Sequence, residues 1–204
     1  MGSEPQVVHI DSVPSTQDIA RGMPIGSIVL ADHQTAGRGR HDHRWEAPPG
    51  TGLLVSFVLA PNPALSLAAG VAAAEACGPQ VRLKWPNDLL LDGKKLGGIL
   101  VEATPSKAIC GIGINLTWAP EGAARLDQPR NELYTRLRVL IEAWSRASSA
   151  AVIARWRELS ETLGHRVRLT LPAQTIEGTA EDISPRGELI IDGVAYSAGS
   201  LTHL

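Results

Sequence analysis

The stretch Val81-Arg82-Leu83-Lys84-Trp85-Pro86-Asn87-Asp88-Leu89-Leu90-Leu91-Asp92-Gly93-Lys94-Lys95-Leu96-Gly97-Gly98-Ile99-Leu100-Val101-Glu102 decides the fold. Val81 to Trp85 reads as a strand, and Pro86-Asn87 turns it into Leu89-Leu90-Leu91. Asp92-Gly93, a dipeptide that accepts the positive φ angles of a two-residue hairpin, turns that run into Leu96 to Glu102. Strands tied by hairpins place the chain in the α+β class, with a mixed, largely antiparallel sheet and flanking helices. A doubly wound parallel fold does not fit.

Working outward, Val7 to Val13, Ser27 to Ala31 and Leu53 to Leu59 read as strands upstream. Ala108 to Leu116 follows downstream, with glycines where something must approach the backbone closely. Ser15-Thr16-Gln17-Asp18 has the form of a capping box opening a short helix through Ile19-Ala20. Ala64 to Ala76 is helical by propensity and stops at Gly78-Pro79. Asn131 opens a helix with Leu133, Leu137, Leu140, Ile141 and Trp144 on one face. A second helix carries Val152, Trp156, Leu159 and Leu163, with Gly164 just past its end. From His165 the pattern changes to short alternating runs, Val167 to Leu171, Ile176 to Glu181, Glu188 to Ile191 and Val194 to Ser197. Breaks at Pro172, Gly187 and Asp192-Gly193 suggest a small β-barrel. The expected division is 1–164 and 165–204.

The bulk properties narrow the function. With 44% hydrophobic and 20% charged residues in 204, the chain is globular, and its net charge of −2 carries no nucleic-acid footprint. No apolar run approaches the ~18 residues that span a bilayer, and Met1 to Ile10 lacks the pattern of a signal peptide. Cys77 and Cys110 form no CxxC motif, so a reducing, cytoplasmic setting is expected. Three of the four lysines lie between 84 and 95, where an amine and not a guanidinium is wanted.

Two segments carry chemistry. His33 to Thr51 is polar, basic and rich in Gly and Pro, and it contains Ala36-Gly37-Arg38-Gly39-Arg40-His41-Asp42-His43-Arg44-Trp45. Alternating Gly and Arg lets backbone come close to an anion while guanidiniums grip it. Alone, the segment reads equally well as a solvated basic loop or a weak RNA contact, although it lacks an aromatic stacking platform. Asp42 excludes a dinucleotide fingerprint, and no P-loop occurs. His33, His41 and His43 have no further ligand at metal spacing, so no metal site is expected. In the second segment Lys94-Lys95 would normally be a solvated turn, but Gly97-Gly98 weakens the strand unless something must fit against it. Asp88 and Lys95 flank the hairpin and are expected to approach each other across it.

Five segments in order carry a resemblance: Ser15-Thr16-Gln17; Gln34 to Arg40 with Trp45; Lys84-Trp85-Pro86-Asn87-Asp88; Lys95 to Glu102; and Gly111-Ile112-Gly113-Ile114-Asn115. Together they resemble the catalytic module of biotin protein ligases, and Trp156 to Ser160 with Gly164 extends the likeness into a small SH3-like C-terminal barrel. The resemblance implies a catalytic fold like that of class II aminoacyl-tRNA synthetases. It also implies ATP-dependent joining of biotin to a lysine of a biotin carboxyl carrier domain of a biotin-dependent carboxylase, through biotinyl-5′-AMP. ATP and biotin would be substrates and Mg²⁺ would share the phosphate charge. Lipoate or octanoate ligases of the same fold and a non-catalytic biotin sensor are the competing readings.

By the same resemblance Lys95, Arg40 and Asp88 would be catalytic, Asp88 assisting the acceptor amine. Ser15, Thr16, Gln17, Gln34, Gly37, Arg38, Gly39, Arg40, Lys95, Gly98 and Gly111 would surround biotin. Arg38, Arg40, Trp45, Lys95 and Asn115 would hold the nucleotide. Three departures stand out: Gln17 where many relatives have Asn, His41-Asp42-His43 where a basic-Gly-basic run is common, and no room before Val7 for a helix-turn-helix domain. DNA and membrane partners are therefore not expected, and the chain is expected as a monomer or weak homodimer.

Overall fold

Residues 52–58 are buried without interruption, as in a strand covered on both faces, and the rest of the main sheet is built outward from them. The computed structural model describes residues 6–40 and 43–204. In chain order the elements are β1 (Val7–Val13), α1 (Thr16–Ala20), β2 (Ile28–Gln34), β3 (Gly37–Arg38), β4 (Arg44–Trp45), β5 (Gly52–Leu59) and α2 (Leu65–Cys77). Then come β6 (Val81–Lys84), β7 (Asp88–Leu91), β8 (Lys94–Ala103), β9 (Ala108–Asn115), α3 (Arg130–Arg146) and α4 (Ser149–Leu159). The last strands are β10 (Arg166–Thr170), β11 (Thr175–Ile183), β12 (Leu189–Ile191), β13 (Val194–Tyr196) and β14 (Ser200–His203).

Seven strands form one sheet in the order β1-β2-β5-β9-β8-β7-β6, antiparallel except for the parallel β1–β2 pair. This is the mixed, largely antiparallel α+β architecture that the hairpins predict. Leu53, Val55 and Phe57 of β5 share one core with Cys110, Ile112 and Ile114 of β9 and with α2, α3 and α4. Val29, Val58 and Ile109 sit on the opposite face with Ala20 of α1. Period-two alternation puts Ser56 and Gly111, partners in the β5–β9 ladder, on that second face as well. Helix α2 is buried almost all round, and its small residues let neighbours come close, with Gly70 against Leu83 and Trp156. Its single charge, Glu75, accepts hydrogen bonds from Trp144 Nε1 and Arg155 Nε, each at 2.8 Å.

Several expectations are corrected. Ser15 is the N-cap of α1, but its side chain makes no capping bond, so the capping box does not form. The segment after Ala31 is less irregular than its composition suggests: β2 runs on to Gln34, and β3 pairs with β4 through Gly37↔Trp45 and Arg38↔Arg44. Leu163 lies beyond α4, because the chain after Leu159 bridges to β6 through Leu83↔Ser160 while Ser160 Oγ accepts from the Thr162 and Leu163 amides. The C-terminal strands form a five-stranded antiparallel sheet in the order β13-β12-β11-β10-β14. Its outer strands do not pair with each other, so the sheet is open and not the closed barrel that the short alternating runs suggest. Strand β14 was not legible, since four residues give too short an alternation.

The two sheets are joined by specific bonds. The Glu161 amide donates to Leu83 O at 2.8 Å and the Trp85 amide to Thr162 Oγ1 at 2.9 Å. Trp85 Nε1 donates to Gly187 O at 3.2 Å.

Candidate active site

A one-residue irregularity in the β7–β8 ladder orients the site. Asp88 pairs with Gly98 and Leu89 with Gly97, but Leu90 pairs with Lys95, leaving Leu96 as the extra residue. In unbroken alternation Lys95 would share a face with Gly97, whose absent side chain would meet Leu89 and Ile114 of the core. The bulge lets Leu96 enter the core, fully buried, and returns Lys95 to the face of Asp88 and Gly98. Lys95 Nζ stands 2.7 Å from Asp88 Oδ1, the approach across the hairpin expected from the sequence.

On the same face lies a cavity of about 340 Å³. It brings together Ser15, Thr16, Gln17, Gln34, Arg38, Gly39, Arg40, Trp45, Asp88, Lys95, Gly98, Gly111 and Asn115. Of the site residues named from the sequence, Gly37 alone is not on its wall; it is buried beneath, where an added Cβ would lie 2.4 Å from Trp45 O. His41 and Asp42 lie outside the described residues.

One end of the cavity is a neutral hydrogen-bonding pocket. Gln34 Oε1 accepts from the Thr16 amide at 2.7 Å and from Thr16 Oγ1 at 2.9 Å. Since the Thr16 hydroxyl has one proton, committed to Gln34, Ser56 Oγ is the donor in its 2.8 Å bond to Thr16 Oγ1. With its oxygen doubly used, Gln34 has an amide NH₂ to offer. Gln17, the departure noted in the sequence, has turned its amide to the protein: Nε2 donates to Leu100 O at 2.8 Å, and Oε1 accepts from Arg38 Nη2 at 3.4 Å. Its side chain fills the space that a Cβ on Gly111 would need, 2.8 Å from Nε2. A side chain at 111 would therefore have to displace the Gln17 amide from its place.

The middle of the floor is set by Trp45. A Cβ on Gly113 would fall 2.6 Å from Trp45 Cε2, and one on Gly98 3.7 Å from Cζ3. The indole therefore lies on bare backbone, and the β3–β4 ladder holds it there through Gly37↔Trp45. Among the described residues, Trp45 Nε1 and Asn115 Oδ1 are buried without a hydrogen-bond partner, a donor and an acceptor on the same cavity wall. Asn115 Nδ2 is anchored to Ala124 O at 3.0 Å. Buried polar groups are normally paired, so an unpaired donor and acceptor in one cavity suit a ligand with complementary polar edges.

The charge balance of the wall is positive. Arg38, Arg40, Lys84, Lys95 and Arg44 face Asp88 and Glu46. Arg38 is drawn aside, with Nη1 2.7 Å from Asp18 Oδ1 and Nη2 3.5 Å from Glu102 Oε1. Arg40 donates to Asn87 Oδ1 at 3.3 Å; burial lowers its pKa, against the pull of Asp88. Lys84 is half-buried; burial lowers its pKa, Asp88 opposes this, and Lys95 adds to it. Bringing an anion into this space relieves the repulsion among its cations. Among the described residues no group of three or more His, Cys, Asp or Glu side chains is placed to hold a metal ion.

Sequence reasoning missed Ser56 and the wall contributed by the C-terminal sheet, Gly199, Ser200 and Leu201. A lone Ser in the apolar run Gly52–Leu59 was a usable signal for the first. No local signal marks the second, because the contact depends on how the sheets dock.

The mixed sheet, the glycine floor and the cation-rich cavity suit an anionic ligand, and comparison with known proteins assigns the family. The family model described as Biotin/lipoate A/B protein ligase family matches residues 10–117, and the chain belongs to this family. A second model, Biotin protein ligase C terminal domain, matches residues 162–200. The chain is 38% identical over 214 residues to the biotin–acetyl-CoA-carboxylase ligase of Mycobacterium tuberculosis, covering 88% of this chain and 79% of that one. It is 31% identical over 198 residues to the bifunctional ligase/repressor BirA of Escherichia coli, covering 82% of this chain but only 62% of the relative. Among solved structures, the biotin protein ligase from Aquifex aeolicus in complex with biotin and ATP superposes with a TM-score of 0.85 at 27% identity, covering 98% and 99% of the two chains.

Proposed function

We infer that this chain is a biotin–carrier-protein ligase that joins biotin to ATP as biotinyl-5′-AMP and then passes biotin to a lysine of a carboxylase carrier domain. The observation that carries the reading is the division of one cavity into a neutral hydrogen-bonding end at Thr16 and Gln34 and a cationic end at Arg40, Lys84 and Lys95. Biotin is such a molecule, with a ureido ring at one end and a carboxylate at the other. The Gln34 NH₂ and Ser15 hydroxyl are suited to the ureido group, and the cations to the carboxylate and the phosphate it must attack. Two anions meet in that step, and fixed positive groups lower its barrier most. Lys95 can exchange its contact with Asp88 for the reacting anions, and Asp88 is then free to accept a proton from the acceptor ammonium. Trp45 and Asn115 offer the unpaired donor and acceptor for adenine. Gly98 and Gly111 keep the floor low. Mg²⁺ enters with ATP as part of the substrate.

The thiols of Cys77 and Cys110, free, buried and pushed up to about 12, are inert under reducing conditions, consistent with a cytoplasmic setting. No helix among the described residues is long and apolar enough to cross a membrane. The test is to incubate the protein with biotin, Mg²⁺-ATP and a panel of carrier domains and to weigh the products. A gain of one biotinyl group on a carrier lysine is expected. Exchange of pyrophosphate into ATP with lipoate but not with biotin would overturn the assignment.

A further inference from the structure

Four charged side chains close a ring beside the cavity. Asp18 Oδ1 accepts from Arg21 Nη1 at 2.9 Å and from Arg38 Nη1 at 2.7 Å. Glu102 Oε2 accepts from Arg21 Nη2 at 2.6 Å, and Glu102 Oε1 stands 3.5 Å from Arg38 Nη2. Each carboxylate thus bridges both guanidiniums, and the ring ties together the end of α1, strand β3 and strand β8. Its α1 corner is itself anchored, since Lys107 Nζ donates to the carbonyl oxygens of Arg21 and Met23. Of the four side chains only Arg38 belongs to the cavity wall; Asp18, Arg21 and Glu102 stand behind it.

The place of Arg38 in the chain explains why it is held in this way. The β3–β4 ladder consists of two pairs, Gly37↔Trp45 and Arg38↔Arg44, prolonged by the Gly39 amide to His43 O at 2.6 Å. So short a ladder is marginal, and like charges directly opposite each other on two strands weaken it further. The same ladder sets the Trp45 indole on the bare backbone of Gly98 and Gly113. Drawing the Arg38 guanidinium toward Asp18 and Glu102 balances its charge beside Arg44. It also fastens β3 to a side of the molecule that the main sheet holds rigid. Ion pairs of this exposure add little one by one, but a closed network fixes the geometry of each member.

We propose that Asp18 and Glu102 are positioning residues for the nucleotide end of the cavity: by holding Arg38 they allow β3 to pair with β4, and that pairing keeps Trp45 in place. Neither carboxylate lines the cavity, so both act through Arg38. The effect on ATP rests on the ligase activity inferred above, whereas the effect on the β3–β4 ladder does not. The ring is 32% to 51% exposed, so mobile ions reach it. Salt should therefore loosen the ladder in the wild type and have little effect once both carboxylates are neutralised.

The test compares the full chain with its Asp18→Asn/Glu102→Gln variant. Amide hydrogen–deuterium exchange without ligand, read by mass spectrometry on the peptide that carries β3 and β4, should be severalfold faster in the variant. Adding Arg44→Gln, which removes the opposing charge, should slow it again, a reversal that a role confined to overall stability would not give. In steady-state turnover with biotin the KM for ATP should rise about fivefold in the double variant, the scale of a small ion-pair network, with the maximal rate changed less than about twofold. Glu142→Gln, which breaks the exposed pair with Arg146, should alter neither readout. Unchanged exchange in the double variant, faster exchange that Arg44→Gln does not reverse, or an unchanged KM for ATP in an active enzyme overturns the proposal. Exchange that responds as described, in a protein whose wild type consumes no ATP in the presence of biotin, would instead overturn the ligase activity and leave the hold on β3 standing.

Discussion

At the residue scale, the site depends on a few side chains whose neighbours dictate them. Lys95 is exposed enough to pass for a turn residue, yet its amine is held 2.7 Å from Asp88 over the cavity. Lys95→Ala is expected to lower single-turnover adenylate formation by about 10²- to 10³-fold with the melting temperature preserved, as for loss of one charge aimed at the reacting anions. Gly113→Ala should act differently. Its Cβ would fall 2.6 Å from the Trp45 ring and displace the indole, so the KM for ATP should rise about tenfold or more while biotin affinity moves less. Equilibrium binding of the two substrates separates these outcomes. Both residues were legible: the lysine from its place beside Gly97-Gly98, the glycine from its run in Ala108 to Leu116. The carboxylate partner of Arg38 was not, because Asp18 is brought to it only by the fold.

At the element scale, the bulge at Leu96 sets the face that Lys95 occupies. Deleting Leu96 should restore unbroken pairing with Lys95 still opposite Leu90, on the face of Asp88, and leave the core without a fully buried leucine. The variant is expected to melt well below wild type, through loss of a fully buried leucine, while retaining adenylate formation at temperatures where it stays folded. Differential scanning calorimetry beside an exchange assay checks both. The edge pair β1–β2 is tied to α3 by Arg130, whose guanidinium bonds Asp32, while His9 Nε2 lies 2.7 Å from the same carboxylate. These bonds, Arg130 first and then His9, hold the Asp32 carboxyl below its ordinary value. A carboxylate depressed on folding stabilises the native state fully above its unfolded value of about 4, and that stabilisation is lost as pH falls through the lower native value. Asp32→Asn should therefore be less stable than wild type at neutral pH, with the gap closing in acid, as chemical denaturation across pH 7 to 2 would show. Hydrophobic period and hairpin dipeptides announced most strands. They could not announce β3–β4, a two-residue ladder inside a stretch without periodicity.

At the scale of the whole molecule, the cavity is shared between the two sheets, with Gly199, Ser200 and Leu201 closing a wall opposite residues of the main sheet. Beside them His203 stacks on His165 with ring centroids 5.5 Å apart, and its Nε2 is buried without a partner among the described residues. Burial first, then Lys84 and His165, push the His203 pKa down, with Glu161 pulling the other way. A histidine depressed on folding is neutral in the native state, so its contribution is complete above about 6.5 and is lost as pH falls toward the lower native value. Melting temperatures between pH 7.5 and 5 should fall more steeply for wild type than for His203→Gln, which cannot charge.

By itself the sequence determined the class of fold and the chemistry of the site, because both are written locally. Turn dipeptides set the strand directions, and Arg, Lys and Gly at short spacing set what the cavity can bind. The tertiary structure alone decided which groups are spent on the protein and which remain for a ligand. Gln17 is committed to Leu100, Arg38 is shared with Asp18, and Trp45 and Asn115 keep one unpaired group each. It alone decided also that the C-terminal strands stay an open sheet seated through Gly187 on Trp85. Such facts rest on contacts between residues as many as 102 positions apart, and a local pattern of charge and hydrophobicity does not encode the distances that create them.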